Sequence, residues 1–286
     1  MFTKLRRAVP WVNERSFVTA PTTAGAFRSR RRPILGWVTL NAALAAATTL
    51  VALAFATFTF DRWLRRRRPH EGAWTVSLLL FALGSIALWW AEARGWSLAS
   101  FRVFFLAGAV LNVPWLALGT VYLLLGQRVG NITRAWLIGL SGAAVGVVLS
   151  APASSSDLGG QRLPKGSELF GVAPRVFAAV GSGVAALVII VGAVWSIVRV
   201  LRGRVPATAG AVRHVDRPRR TAAANALIAI GTLVLSGSGT LAGRLGEDRA
   251  FAVTLLTGIV VLFAGFLVAS ARSQRPTQQL PDLIVR

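Results

Sequence analysis

Long apolar stretches alternate along this chain with short polar connections that are rich in arginine. Seven stretches of 19–27 residues contain no charged residue: 34–60, 73–91, 103–126, 135–153, 176–198, 221–243 and 250–271. A hydrocarbon core of about 30 Å takes about 20 helical residues to cross. In lipid, a helix satisfies its own backbone hydrogen bonds. The pattern therefore predicts an all-α membrane protein, a seven-transmembrane helix bundle over residues 34–271.

The connections between these stretches differ in charge, and alternate connections can be compared. The first set contains 17 Lys and Arg residues and comprises 61–72, 127–134, 199–220 and the tail 272–286. The second set contains seven and comprises 92–102, 152–175 and 244–249. Cytoplasmic loops are enriched in Lys and Arg. We therefore expect the N-terminus outside, the C-terminus in the cytoplasm, and a short cytoplasmic tail.

Residues 1–33 do not fit this orientation, because they carry eight basic residues on the side predicted to be outside. They also lack the continuous apolar segment of a signal peptide. Two interpretations stay open for 1–33. One is a disordered basic N-terminal arm. The other is a mis-assigned start, with native initiation downstream, for instance at Val38.

Composition narrows the function classes. Thirty of the 32 basic residues are arginine, and Ala, Val, Leu and Gly are abundant, which is typical of a GC-rich bacterial genome. We therefore expect a multi-pass protein of the bacterial plasma membrane. The net charge of +22 is divided among the connections instead of forming one groove, so we expect no nucleic-acid binding.

Catalytic and metal-binding patterns are missing from the sequence. There is no cysteine, no Walker A, HExxH or GxSxG motif, and no Asp, Glu, Lys, Arg or His inside the seven stretches. His70 and His214 lie in basic connections without an acidic partner at ligand spacing. We therefore expect neither an enzyme nor a metal or other cofactor.

The third stretch contains the sequence Asn112-Val113-Pro114-Trp115. Proline removes a backbone donor and kinks a helix. Asn112 either forms an interhelical hydrogen bond beside this kink or lines, with Trp115, a ligand cavity that opens outward. An interfacial aromatic belt explains the neighbouring aromatic residues equally well. The candidate ligand-binding residues are Asn112, Trp115, Trp89, Trp90, Glu92 and Phe105.

Two groups of arginines and two glycine pairs are candidate contact sites. The arginines are expected to bind anionic lipid headgroups or a cytoplasmic or membrane protein partner. Small residues at GxxxG spacing permit close helix contact, which is expected for Gly142 with Gly146 and for Gly239 with Gly243. The arginines are Arg65, Arg66, Arg67, Arg68, Arg199, Arg202, Arg204, Arg213, Arg217, Arg219 and Arg220.

One part of the chain carries a family resemblance. Arg65–Arg68 with Pro69, the stretch Ala73–Trp90, Glu92 and the Phe101–Leu125 span resemble the seven-helix sensor region of bacterial histidine kinases and diguanylate cyclases. The likeness is a pattern of helices over about residues 36–126. It implies a sensory role. In that family a cytoplasmic output domain follows, whereas here 15 residues follow Ala271, so we expect signalling through a separate partner.

Three functions therefore stay open. The first is a stand-alone sensor or receptor-like protein that binds a small apolar ligand in its outer half and signals through 199–220. The second is a transporter or accessory subunit for lipids or hydrophobic small molecules. The third is a structural membrane subunit without a ligand.

Overall fold

The computed structural model of this chain describes residues 40–152, 162–202, 218–245 and 248–270. The arm 1–33 and the tail 272–286 lie outside these ranges. The described residues form helices and no β-strand. The helices are α1 Leu40–Arg66, α2 Pro69–Arg94, α3 Leu98–Val103, a π-helical segment Phe104–Leu111, α4 Asn112–Ser150, α5 Gly166–Leu169, α6 Val172–Leu201, α7 Pro218–Leu245 and α8 Asp248–Ser270.

Within the described residues, five helical segments are long and apolar enough to cross a membrane: Leu40–Arg66, Pro69–Arg94, Leu98–Ser150, Val172–Ser196 and Arg249–Val268. In the described part of α7, a shorter apolar segment covers Ala226–Leu235. The chain is thus an integral membrane protein with several apolar helices, as the sequence predicts.

The segment Leu98–Ser150 is too long to be one straight crossing, and it is divided at Gly126, where φ is +84°. Glycine adopts this conformation without steric cost. We call residues 98–125 the composite helix, since α3, the π-helical segment and the first part of α4 follow one another there. Residues 127–150 form α4b. Three hydrogen bonds of 2.8–3.3 Å join the two: Tyr122 with Asn131, Trp115 with Ser141, and Arg102 with the carbonyl of Ala151. In each pair the two residues lie at nearly equal distances in sequence before and after the break. The composite helix and α4b are therefore antiparallel.

Side-chain contacts also give the directions of the other helices. Thr75 of α2 bonds to Thr59 of α1, and Glu71, which precedes Thr75, bonds to Arg62, which follows Thr59. Helices α1 and α2 are therefore antiparallel. Helix α2 and the composite helix are antiparallel too. Ser77 bonds to Asn112, whereas the earlier Trp74 packs over the later Gly119.

The remaining helices complete the alternation. Helix α6 runs parallel to the composite helix, since Ser182 bonds to Ala109 and Gly192 packs against Thr120. Helix α8 has the same direction: Phe251 lies 6.0 Å from Phe104 at its start, and Phe266 lies 4.7 Å from Trp74 near its end. Helix α7 is antiparallel to α8, with Gly231 against Leu262 and Leu235 against Gly258.

The core of the bundle is largely aromatic on the α1–α8 side. Phe55 of α1 lies between Phe263 and Phe266 of α8, with ring centroids 4.7 and 5.0 Å apart. Helices α1, α2, the composite helix, α6, α7 and α8 each contact the next, and α8 contacts α1. Helix α4b packs on the outside of this ring, where Leu137 contacts the buried cluster of Ala73, Leu118 and Tyr122.

Glycine packing differs from the expectation. A Cβ added at Gly142 or Gly146 meets no atom within 4 Å, so these residues make no close contact within the described chain. The side-chain positions of Gly239 and Gly243 lie outside the described residues. Close helix contacts lie instead at other glycines, among them Gly231, Gly258 and Gly265 between α7 and α8. The GxxxG spacing fails as a guide here because α4b presents its glycines to the outside of the bundle.

Candidate functional site

The candidate site is the π-helical segment of the composite helix. The backbone N–H of Asn112 donates to the carbonyl of Ala107, five residues earlier, where an α-helix would bond to the residue four earlier. Pro114 follows two residues later and has no N–H. The carbonyl of Ala109, five residues before this proline, therefore loses a donor, and Ser182 of α6 donates its hydroxyl to it. The missing N–H of Pro114 and the π-helical hydrogen bonding before it therefore belong to the same local irregularity.

Neighbouring helices bind this segment with polar side chains. The Ser77 hydroxyl of α2 lies 2.7 Å from Oδ1 of Asn112 and 2.9 Å from its backbone carbonyl. Trp115 donates from Nε1 to the hydroxyl of Ser141 in α4b, at 3.3 Å. Together with the Ser182 contact to Ala109, these contacts join the segment and the proline turn that follows it to three helices. Such π-helical insertions are frequent at functional sites.

The backbones approach closely beside these contacts. A Cβ added at Gly84 of α2 would lie 3.2 Å from the Cα of Gly108 in the π-helical segment. A larger residue at Gly84 would push α2 away from the segment, whereas a Cβ added at Gly108 would meet no atom within 4 Å. Gly84 therefore allows α2 to pack closely against the irregular turn.

The structure brings some of the six predicted ligand-binding residues together and separates others. Asn112 is buried and Trp115 is half-buried beside Pro114. Phe105 is buried nearer the start of the composite helix, where its ring lies 5.2 Å from that of Phe170. Asn112 makes the interhelical hydrogen bond that was one of the two sequence interpretations.

The other three residues lie towards the end of α2. Trp89 and Trp90 are 40% and 44% exposed on the outer surface, whereas Glu92 is buried. Trp89 is 12 residues beyond Ser77, which corresponds to about 18 Å along a helix. A single pocket lined by all six residues would have to extend over that distance. Ligand binding by these residues stays a prediction.

An aromatic cluster lies at the start of the composite helix. Trp96 is 2% exposed, and its ring lies 5.7 Å from Phe101 and 5.5 Å from Phe104. Its Nε1 has no hydrogen-bond partner within the described residues. Ser97 begins α3 with a reciprocal capping box to Ser100, which fixes the chain at this point. The cluster places a buried, unused N–H donor among aromatic rings.

A buried ion pair was missed by the sequence interpretation. Arg62 of α1 donates from Nη2 and Nε to Oε1 of Glu71 in α2, at 2.8 and 3.1 Å. The Glu71 side chain has no exposed surface, and its Oε2 has no partner within the described part of the chain. The sequence signal is Pro69, since proline is favoured in the first helical turn and Glu is favoured near a helix N-terminus. Helix α2 therefore begins before the charge-free stretch does.

The described arginines of the first basic connection lie at the α1–α2 turn. Arg65 pairs with Asp61 at 2.8 Å on the surface, and the guanidinium of Arg67 lies 5.7 Å from the Trp63 ring. Arg66 is the last residue of α1, and Arg68 is the residue directly before α2. In the second basic connection Arg202 is exposed, while the side chains of Arg199, Arg204, Arg213, Arg217, Arg219 and Arg220 lie outside the described residues.

A search for a metal site and a comparison with known proteins give no further indication of function. No three His, Cys, Asp or Glu side chains come together at metal-binding distance within the described ranges. His70 packs edge-on against Trp74, with ring centroids 5.1 Å apart. Comparison with known protein families, curated proteins and solved structures finds no match to this chain.

Proposed function

We propose that the chain crosses a bacterial plasma membrane seven times, with its N-terminus outside and its C-terminus in the cytoplasm. The alternating helix directions support this number, with α1, the composite helix, α6 and α8 in one direction and α2, α4b and α7 in the other. The division at Gly126 accounts for two crossings within Leu98–Ser150. The excess of arginine on one set of connections supports the orientation.

Single cysteines test this topology without background, because the chain has none of its own. We expect Ala99→Cys to react with a membrane-impermeant maleimide on intact cells. Gln127→Cys and Arg202→Cys should react only after the cells are opened. All three positions are exposed. The reverse pattern would overturn the orientation, and equal labelling of Ala99→Cys and Gln127→Cys would overturn the crossing between them.

We further propose that the protein is a stand-alone sensor or receptor-like protein. The observation that carries this proposal is the π-helical segment and the proline turn after it, which hydrogen-bond to α2, α6 and α4b. A sensor needs an element with two arrangements that ligand and partner both bias. Converting one π-helical turn into an α-helical turn shifts the register by one residue, which is about 100° of rotation. That rotation would break the hydrogen bond of Ser77 to Asn112 and that of Ser182 to Ala109, and would bring other groups of the composite helix to these two serines.

The parts of such a sensor can be assigned. A small apolar ligand would bind in the outer half, near Asn112, Trp115 and the aromatic cluster around Trp96. Its binding would favour one register of the π-helical segment. Ser182 would pass the change to α6, which leads directly into the basic connection 199–220. A separate partner would bind there through the arginines.

Thermal unfolding of the full chain tests the ligand site. The probe is a chloroform–methanol extract of the source cells, added to protein in nanodiscs of neutral phospholipid. At about 100 times the dissociation constant, ligand should raise the melting temperature by about 5 °C. We expect Asn112→Ala and Trp115→Ala to lose this rise.

The control for this experiment is Trp136→Ala, since Trp136 is an exposed tryptophan of α4b away from the segment. It should keep the full rise. Absence of any rise in the wild type, or a rise that persists in both Asn112→Ala and Trp115→Ala, would contradict the proposal.

A second function is favoured by one observation, an apolar groove between the composite helix and α6. It supports a transporter or accessory subunit for lipids or hydrophobic molecules. The two functions differ in a deletion strain: a transporter mutant should change the distribution of a lipid across the envelope, whereas a sensor mutant should change expression without that defect.

A further inference from the structure

A groove of about 330 Å³ follows the surface between the composite helix and α6. Thr120 and Leu124 form one wall, and Val184, Val188 and Val191 form the other. At its floor the two helices are in close contact. A Cβ added at Gly192 would lie 2.8 Å from Cγ2 of Thr120 and 2.7 Å from Cδ1 of Leu124. The groove is therefore a defined depression between two packed helices.

Its dimensions fit a single hydrocarbon chain. From Val184 to Trp195 the α6 wall covers 12 residues, whose 11 steps amount to about 16 Å along a helix. One leaflet of a hydrocarbon core about 30 Å thick has nearly the same depth. Trp195 forms the end of the groove, and tryptophan favours the membrane–water interface. The groove thus extends from the middle of the membrane to one interface.

Positive charge lies beyond that end. Because the composite helix and α6 are parallel, both terminate at the same side of the bundle. Arg202 follows Trp195 by seven residues and stands directly after the last residue of α6, with its backbone N–H bonded to the carbonyl of Val198. Arg128 follows the break at Gly126 directly after the opposite wall. Both arginines are exposed.

We propose that this groove binds one acyl chain of an anionic phospholipid, whose phosphate is held by Arg128 and Arg202. An arginine offers several donors to phosphate oxygens and remains charged. Its aliphatic part can lie along the apolar wall while the guanidinium reaches the headgroup layer. A neutral lipid would fill the groove but would leave this charge uncompensated. The proposal is independent of the sensor function, since it requires only that the chain lies in a membrane.

Native mass spectrometry of the full chain tests the headgroup contact. The protein is released from nanodiscs of equal phosphatidylglycerol and phosphatidylcholine, and the lipids that stay bound are identified. We expect one phosphatidylglycerol on the wild type. Arg128→Gln and Arg202→Gln should each weaken its binding about fivefold, as expected for the loss of one arginine near anionic lipid. Arg134→Gln, which removes an exposed arginine of α4b, should leave it unchanged.

A second pair of variants tests the groove itself. Val191→Trp fills the groove from an exposed wall position and should remove the bound lipid. Val180→Trp changes an equally exposed valine of α6 outside the groove and should keep it. Equal retention of both phospholipids, an equal loss in Arg134→Gln, or unchanged binding in Val191→Trp would each overturn the proposal.

Discussion

Replacing Arg62 by alanine is expected to lower the free energy of unfolding by about 3–5 kcal/mol. The change leaves the carboxylate of Glu71 without the guanidinium that lies 2.8 Å from it, in a side chain that has no exposed surface. Removing one member of a buried ion pair leaves an uncompensated charge, which costs more than the pair contributes. Unfolding of the full chain in mixed micelles, titrated with sodium dodecyl sulfate and followed by circular dichroism, measures this loss.

The same helix offers a matched control. Arg65 also pairs with a carboxylate at 2.8 Å, but Arg65 and Asp61 are 76% and 55% exposed. Arg65→Ala should therefore lower the free energy of unfolding by about 1 kcal/mol or less. The double variant Arg62→Met with Glu71→Met should recover much of the loss of Arg62→Ala, because no buried charge remains. Equal losses for Arg62→Ala and Arg65→Ala would show that the first pair is not buried in the folded protein.

The second large effect is expected at the contact of α7 with α8. A Cβ at Gly231 would lie 2.7 Å from the backbone N of Leu262, and one at Gly265 would lie 2.9 Å from the backbone N of Ile228. Backbone atoms cannot rotate away as a flexible side chain can, so each helix must shift. Gly231→Ala and Gly265→Ala should each destabilise the protein by about 1–3 kcal/mol, although alanine favours helix. The same unfolding titration measures both.

Gly142→Ala and Gly146→Ala are the controls for this prediction. Each added methyl group meets open space, so only the helix preference of alanine acts. We expect stability to stay unchanged or to rise by about 0.5–1 kcal/mol. A loss at Gly142 or Gly146 as large as that at Gly231 would place the tight contact on α4b, against the structure.

These two features give the proposed sensor a fixed frame. The buried ion pair joins α1 to α2, and the glycine contacts join α7 to α8 through their backbones. Between these pairs lies the composite helix, whose π-helical segment is bonded by Ser77 and Ser182 from its two neighbours. The irregular segment has an ordinary α-helix as its alternative register, and it is therefore the element that we propose changes its arrangement.

Several features of the site could be predicted from the residues, and others could not. The proline sequence indicated an irregularity and an interhelical bond of Asn112, and Ser77 forms that bond. The sequence did not identify Ser77 or Ser182 as the partners, since serine is common in apolar helices and pairing depends on helix neighbours. Trp89 and Trp90 were predicted to lie around the mouth of an outward-opening cavity lined by Asn112, and the structure places both partly exposed, 12 and 13 residues beyond Ser77 along α2.

By itself, the sequence determined that this is an integral membrane protein of several long apolar helices, because length and hydropathy are local properties that the bilayer selects directly. It also indicated where the composite helix is irregular, because proline lacks a donor wherever it lies in a helix, whereas the break at Gly126 was not predicted. Only the tertiary structure decided which helices are neighbours, that Glu71 is buried against Arg62, and that Gly231 and Gly265 pack tightly while Gly142 is free. Those outcomes depend on which face of each helix meets another, and in a helix that is apolar all round the sequence pattern does not mark that face.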